Sequence, residues 1–313
     1  MVGRRGGPEE RLVPAAGFEL ATVRVRGLDR DAWWKNLALP GVIPAALRTG
    51  LGIVDRFRPD VVLGMGGYVM APCVAAARLR GIPYVLHEKD VRPGLATRLF
   101  SRKAAAICTT LPGTEVQLPG VKVSLTGVPL REGFQQRTPN VPPRRLLITG
   151  GSQGARHLNQ AVWAAVDELC SRFEEVVHVT GHQGRDGALL HARNGYRGIP
   201  FADDMSLLMG GADLLVSRAG VGTIAEAAAV GLPMVLVPGT FGGGHQEENA
   251  AAMVEAGAAV RIADAELSGP VLVAAIDGLD SAHLVAMAKA SAAAGRRDAA
   301  KRVLDVLHDV VGR

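Results

Sequence analysis

A single internal repeat constrains this chain more than any other feature. Asp60 to Leu86 reads DVVLGMGGYVMAPCVAAARLRGIPYVL, and Asp213 to Val237 reads DLLVSRAGVGTIAEAAAVGLPMVLV. Each copy holds an Asp, an apolar strand, a glycine turn, an Ala-rich helix, a Gly-Ile/Leu-Pro corner and a second strand. The two Asp residues are 153 positions apart (213 − 60), about half of the 313 residues. One repeat at that spacing is no solenoid; it implies two similar α/β domains. In doubly wound domains ligands bind at the C-terminal ends of the strands, so two such domains are expected to place their glycine turns around a common cleft.

The rest of the chain fits that plan. Strands are expected at Phe18 to Val25, Val61 to Leu63, Tyr84 to Leu86, Ala104 to Cys108, Leu146 to Ile148, Val176 to Val179, Leu214 to Val216 and Met234 to Val237. Helices are expected between them, as at Ala155 to Cys170 and Ile224 to Val230. That alternation makes βα units and parallel sheets. A linker is expected within Arg131 to Arg145, which holds Pro139, Pro142 and Pro143. The domains are then residues 1–133, 134–290 and a helical tail, 291–313, that returns to the first.

Composition excludes several classes. Hydrophobic residues at 48% against 21% charged exclude a disordered chain. Cys73, Cys108 and Cys170 contain no CxxC pair, which argues against a disulfide scaffold or Cys-rich zinc site and for a reducing compartment. The net charge of +5 suits anionic partners. A dense Lys/Arg run with interleaved aromatics is absent, so nucleic acid is not expected as a partner. Met1 to Glu10 has no apolar core of a signal peptide. The uncharged stretch Val61 to Ala77 is short for a ~20-residue span and broken by Gly64, Gly66, Gly67 and Pro72. It reads as strand, turn and buried helix.

Four segments carry chemistry. In Leu146 to Ala155 (LLITGGSQGA), Gly150, Gly151 and Gly154 allow close backbone approach, and Ser152 adds a hydroxyl beside helix N–H groups that favour a phosphate. It has neither the GK[ST] of a Walker loop nor GxGxxG spacing, and a plain βα turn is the alternative. In Ser217 to Glu226 (SRAGVGTIAE), Glu226 either accepts from ribose hydroxyls or complements the helix dipole. In Gly242 to Asn249 (GGGHQEEN), Gln246 is placed to reach a sugar hydroxyl; His245, with no second histidine at metal spacing, reads as a loop residue. In His87 to Asp90 (HEKD), Glu88 and Asp90 are candidate general bases, or else a solvated loop in which Asp90 caps the next element. Asp203 and Asp204 most simply cap the next helix. They are not the separated acid pair of a metal-dependent transferase.

Taken together, RPDVVLGMGGYV, GIPYVLHE, TGVPLR, GGSQGARHLN, DDM, SRAGVGTIAEAAAVGLP and HQEENA stand in one order. That ordered set resembles the MurG glycosyltransferases, from about Gly6 to the C-terminus. The resemblance implies a GT-B fold: α/β, with two Rossmann-like doubly wound domains facing a cleft. It also implies transfer of GlcNAc from UDP-GlcNAc to undecaprenyl-pyrophosphoryl-MurNAc-pentapeptide in peptidoglycan synthesis, with inversion and without metal or other cofactor. On it, Arg131 and Ser152 hold the UDP diphosphate, and the Ala202 backbone reads the uracil edge. Val221, Gly222, Thr223 and Glu226 wrap the nucleotide sugar, with Glu226 on the ribose, while Asp90 and Gln246 face the sugar. Gly66, Gly67 and Tyr68 face the acceptor diphosphate.

Three departures from the family pattern stand out. The family's opening strand and glycine-rich, His-containing loop have no match in Met1 to Phe18, so the first domain is expected to miss its opening βα unit and to leave neighbouring backbone groups unpaired. The family's HEQN reads HEKD here, and an ionised Asp90 only accepts hydrogen bonds where Asn also donates. Val128 stands where an Asn usually precedes proline. With the family histidine unmatched, Glu88 and Asp90 are the remaining candidates for the base. Two alternatives stay open: another UDP-sugar transferase completed by a partner chain, and a non-catalytic UDP-sugar-binding remnant. Trp33, Trp34 and Lys35 before the apolar segment Leu37 to Val54 (Leu39, Val42, Ile43, Leu47, Leu51, with Arg48 and Arg56 beside them) suit docking on an anionic membrane surface, or else form a core helix. A peripheral position on the cytoplasmic membrane face is expected, with other cell-wall synthesis proteins as candidate partners.

Overall fold

Short runs of Val, Ile and Leu without charge become strands where both sheet faces are covered, which parallel βα units ensure. In a computed structural model, which describes residues 1–25, 39–151, 154–240 and 244–312, the chain forms two units. The first comprises residues 1–109, 113–125 and 301–313, the second residues 110–112 and 126–300.

Unit 1 contains β1 (Val2–Arg4), α1 (Glu9–Ala15), β2 (Ala21–Val23), α2 (Leu39–Phe57), β3 (Val62–Gly64), α3 (Ala71–Leu79), β4 (Tyr84–Glu88), α4 (Leu95–Phe100), β5 (Ala106–Thr109) and β6 (Val123–Leu125). Its strands make two separate parallel sheets, β1-β2 and β3-β4-β5-β6. The uncharged stretch from Val61 is divided between β3 and α3 as expected, and α3 buries Cys73, Val74, Ala76 and Ala77. Among the described residues no single helix is long and apolar enough to cross a membrane.

Unit 2 contains β7 (Arg145–Thr149), α5 (Arg156–Ala164), α6 (Val166–Arg172), β8 (Glu175–Val179), α7 (Arg185–Leu190), β9 (Tyr196–Ile199), α8 (Met205–Gly211), β10 (Leu214–Ser217), α9 (Val221–Val230), β11 (Met234–Leu236), α10 (His245–Glu255), β12 (Ala259–Arg261), α11 (Gly269–Asp277) and α12 (Ser281–Ala294). The final helix, α13 (Ala299–Val311), packs Val303 and Val310 with Val85, Ala106 and Cys108 of unit 1. The strands of unit 2 form one parallel sheet ordered β12-β11-β10-β7-β8-β9. Leu146, Ile148, Val216 and Val235 are buried in its core with Leu158 and Val162 of α5.

Local readings differ from the structure in three places. The strand expected from Phe18 to Val25 shrinks to β2, because Phe18 is exposed and Gly17 has a φ of +81°. The helix expected from Ala155 to Cys170 breaks at Ala165, whose φ/ψ of −109°/8° ends α5 before α6 begins. The strand β1 lies in a segment that sequence reasoning left unassigned.

Two polar devices order unit 2. Asp213 is 1% exposed and accepts from the Arg137 guanidinium (2.6 Å), from Asn140 N and Nδ2 (2.8 and 3.0 Å) and from the amides of Arg144 and Arg145 (3.0 and 3.1 Å). Burial pushes its carboxyl up, but the Asn140 and Arg144 amides and then the Arg137 charge more than reverse this, leaving it below the usual carboxylate range. The repeat's aspartate thus ties the linker to the sheet.

The second device runs beneath β8. Trp163 Nε1–H donates to the Tyr196 hydroxyl at 3.0 Å, so the Tyr196 O–H donates to His178 Nδ1 at 2.9 Å. His178 then carries its proton on Nε2 and donates to Asn159 Oδ1 at 3.1 Å. Asn159 Nδ2 donates in turn to the Thr180 carbonyl at 2.8 Å. Only the neutral imidazole satisfies this direction. Burial pushes the His178 pKa down to about 3 and, with smaller contributions, the Tyr196 hydroxyl up to about 12.

Candidate active site

Because all six strands of unit 2 are parallel, the loops after β7, β9, β10 and β11 leave at one edge of the sheet. From β7 the chain continues through β8 and β9 on one flank and resumes with β10 on the other. The β7–β10 pair is therefore the point where strand order reverses, and ligands bind at that point in such sheets.

The loop after β7 is a backbone-built turn. A Cβ at Gly150 would lie 2.4 Å from Ala155 N, and one at Gly154, where φ is +74°, would lie 2.4 Å from the Thr180 carbonyl. Gly151, with φ of +80°, donates its N–H to Thr149 Oγ1 at 3.1 Å. Ser152 lies outside the described residues.

The loop after β10 leads straight into α9 from Gly220, and among the described residues no side chain caps the helix. The first-turn N–H groups of Val221, Gly222 and Thr223 are therefore open to an anion, with the helix dipole behind them. Glu226 is half-buried further along the same helix. Burial raises its carboxyl above the usual range, and the Arg131 charge opposes that rise. Asp204 caps α8, accepting from Ser206 Oγ at 2.6 Å and from Leu207 N at 3.1 Å, which together with the Arg131 charge hold it low. Arg131, Asp204 and Glu226 thus share one electrostatic neighbourhood, beside half-buried Ala202. Asp203 is exposed.

After β11, Gln246 sits in the first turn of α10 and accepts from Gly239 N through Oε1 at 2.7 Å. Part of its amide therefore shapes the loop. His245 is half-buried at the head of the same helix.

Sequence reasoning missed Arg218. Its guanidinium lies 2.6 Å from Asp264 and 3.2 Å from the Val237 carbonyl, which braces the β10 turn against β11. The signal was its place inside SRAG, read there only for the glycines. Asn249 Nδ2 adds a brace to the Ala219 carbonyl at 3.3 Å.

In unit 1 the other candidates also gather at strand ends. Gly66 and Gly67 have φ of +82° and +69°, and Tyr68 accepts at its hydroxyl from Arg4 at 3.3 Å. Glu88 is 5% exposed. Its Oε1 accepts from Lys89 N at 2.9 Å and its Oε2 from Gly94 N at 3.0 Å. Asp90 is half-buried. Among the described residues no cluster of three His, Cys, Asp or Glu is arranged to hold a metal ion.

Two family models match the chain: the glycosyltransferase family 28 N-terminal domain over residues 1–109 and the glycosyltransferase family 28 C-terminal domain over residues 145–303. A UDP-N-acetylglucosamine–N-acetylmuramyl-(pentapeptide) pyrophosphoryl-undecaprenol N-acetylglucosamine transferase from a Nocardioides species is 38% identical over 98% of this chain and 88% of its own. The protein of the same name from Thermobifida fusca is 38% identical over 95% and 82%. The crystal structure of Acinetobacter baumannii MurG superposes with a TM-score of 0.79 at 27% identity, over 98% of this chain and 90% of that one. A Neisseria meningitidis UDP-GlcNAc 2-epimerase bound to UDP-GlcNAc has a TM-score of 0.67 at 15% identity, over 98% and 90%, a likeness of fold alone.

Proposed function

This chain belongs to glycosyltransferase family 28, among the MurG transferases of GT-B fold, and from that premise we propose that it moves GlcNAc from UDP-GlcNAc onto a lipid-linked MurNAc-pentapeptide. The observation that supports this most is the grouping of Arg131 and Glu226 with the uncapped start of α9 at the strand-order reversal of unit 2. There the Arg131 charge and the N–H groups of Val221, Gly222 and Thr223 neutralise the diphosphate, with Ser152 assigned to the same group by the resemblance. Glu226 accepts from the ribose hydroxyls, Ala202 reads uracil through its backbone, and Gln246 contacts the sugar.

The acceptor's 4-hydroxyl displaces UDP from C1 with inversion. The bond to the UDP oxygen breaks as the new C1–O bond forms, and the hydroxyl proton passes to a carboxylate. Glu88 and Asp90 are the carboxylates proposed for that role, and both oxygens of Glu88 accept loop amides. Arg131 and the α9 dipole stabilise the charge on departing UDP. Gly66, Gly67 and Tyr68 serve the acceptor side.

One pair of variants tests the reading. Arg131→Ala is expected to weaken UDP binding about 10- to 150-fold in calorimetry, since a charge-assisted contact contributes ~1.5–3 kcal/mol. Asp90→Asn is expected to keep UDP affinity and lose UDP release in the transfer assay. Unchanged affinity in the first removes the donor assignment, and unchanged turnover in the second removes Asp90 as base.

A lipid acceptor requires a peripheral membrane face. Trp33, Trp34 and Lys35 lie outside the described residues; in α2 (Leu39–Phe57) Ile43 is 60% exposed and Arg48 is exposed. Binding to anionic vesicles at low salt is expected in flotation, and Ile43→Asp with Arg48→Glu is expected to abolish it. Flotation of that double variant at the level of the parent chain would remove α2 from the docking face.

A further inference from the structure

The two turns assigned above to the diphosphate leave neighbouring strands. β7 and β10 pair in parallel from Leu146 with Leu214 to Thr149 with Ser217. Among the described residues the last backbone bond between them runs from Arg218 N to the Thr149 carbonyl, at 3.3 Å. Past it the backbones part, one through the glycine turn into α5 and the other through Ala219 and Gly220 into α9.

One carboxylate rejoins them. Asp264, in the short helical turn Asp264–Glu266 after β12, offers a single oxygen, Oδ1, to Arg218 at 2.6 Å and to His157 Nδ1 at 3.2 Å. Arg218 belongs to the β10 turn, and His157 is the second residue of α5, just after the glycine turn. An ionised carboxylate only accepts, so His157 carries its proton on Nδ1 and donates. The Arg218 and Asp264 side chains are 12% and 18% exposed, so salt screens their attraction less than that of a surface pair. The fold holds Asp264 from both sides. Ile262 and Leu267 are buried in the same core as Ala155 and Leu158 at the start of α5.

We infer that His157 is a positioning residue for the donor: through Asp264 and Arg218 it fixes the start of α5 relative to the start of α9. This rests on the donor reading given above. A diphosphate carries two phosphoryl groups at a set spacing. N–H groups on two separate loops can hold both only if the loops are already at the matching separation, and any ordering left to the moment of binding costs affinity. No side chain caps α5 or α9 among the described residues, so both helix starts offer such N–H groups. His157 sets where the first group stands, and Arg218 where the second does.

The test uses the full chain and three variants. His157→Leu removes the donor, His157→Asn puts an amide N–H where Nδ1 was, and Asp264→Ala releases both partners. Calorimetry compares UDP with uridine, which has the base and ribose but no diphosphate. His157→Leu is expected to weaken UDP about three- to tenfold and uridine by less than about twofold. His157→Asn is expected to restore UDP affinity. Hydrogen exchange reads the coupling without ligand, at Gly154, Asn159 and Ile224, whose N–H groups are bonded to the carbonyls of Gly151, Ala155 and Gly220. His157→Leu should speed exchange at Gly154 and Asn159 and spare Ile224, while Asp264→Ala should speed all three. The inference is overturned if His157→Leu binds UDP as the parent does, or weakens UDP and uridine equally. It is also overturned if His157→Asn fails to rescue, or if these amides exchange in the variants as in the parent. A parent chain that binds neither UDP nor uridine removes the donor reading instead, and the exchange rates then decide whether His157 joins the two turns.

Discussion

Asp213→Ala is expected to lower the stability of unit 2 by about 3–5 kcal/mol, the range for removing one partner of a buried, hydrogen-bonded charge pair. The substitution strands the Arg144 and Arg145 amides together with the backbone and side-chain donors of Asn140, all of which donate to this one carboxylate. Arg137 keeps the carbonyls of Gly210 (3.0 Å) and Ala212 (2.5 Å), which limits the loss from its side. In a unit of this size each kcal/mol moves the midpoint by roughly 2–4 °C, so the transition should fall by roughly 6–20 °C. Differential scanning calorimetry reads it directly. Asp213→Asn should fall between, because an amide accepts on one side only. A loss under about 1 kcal/mol, the size of one ordinary hydrogen bond, would show that the linker does not depend on this carboxylate.

The second large effect is with pH. His178 is neutral in the fold down to about pH 3, whereas in the unfolded chain it takes up a proton near the ordinary value of about 6.5. Between those two values the unfolded state binds more protons. The stability that the buried neutral ring confers is therefore fully present above about pH 6.5 and is lost as the pH falls, by up to about 1.4 kcal/mol per unit. From about pH 6.5 to 4.5 the loss comes to roughly 2 kcal/mol. Urea unfolding of the parent and of His178→Gln separates it from other groups. Glutamine can accept from Tyr196 and donate to Asn159 but does not titrate, so its acid limb should be shallower by that amount. Parallel limbs would mean that the ring protonates in the folded state.

Much of this architecture was legible in the residues because burial on both faces leaves a plain mark. The cores of β3, β4, β8, β10 and β11 were read from uncharged Val/Leu/Ile runs, and the two-domain plan from the repeat. Three-residue β1 was not legible: VGR between a start and a Gly-rich turn has no period to detect, and its pairing with β2 is decided by tertiary packing. The break at Ala165 was hidden because alanine favours helix, so nothing local announced the turn. At the candidate site, the glycine turns were legible by residue type and spacing, which also made Glu226 a candidate. The engagement of Glu88 was not, since only the folded loop brings the amides of Lys89 and Gly94 onto its oxygens. Arg218 escaped for the same reason: its partner, Asp264, is 46 residues away.

The hydrogen-bond series beneath β8 terminates on the carbonyl of Thr180, the same oxygen that a side chain at 154 would strike. The floor under the β7 glycine turn is therefore braced from inside the protein, through Trp163, Tyr196, His178 and Asn159. Changes that shorten or redirect that interior series are expected to shift the support under this turn and so to detune the phosphate recognition proposed for it. For engineering, altered donor preference would have to be sought with this foundation held constant.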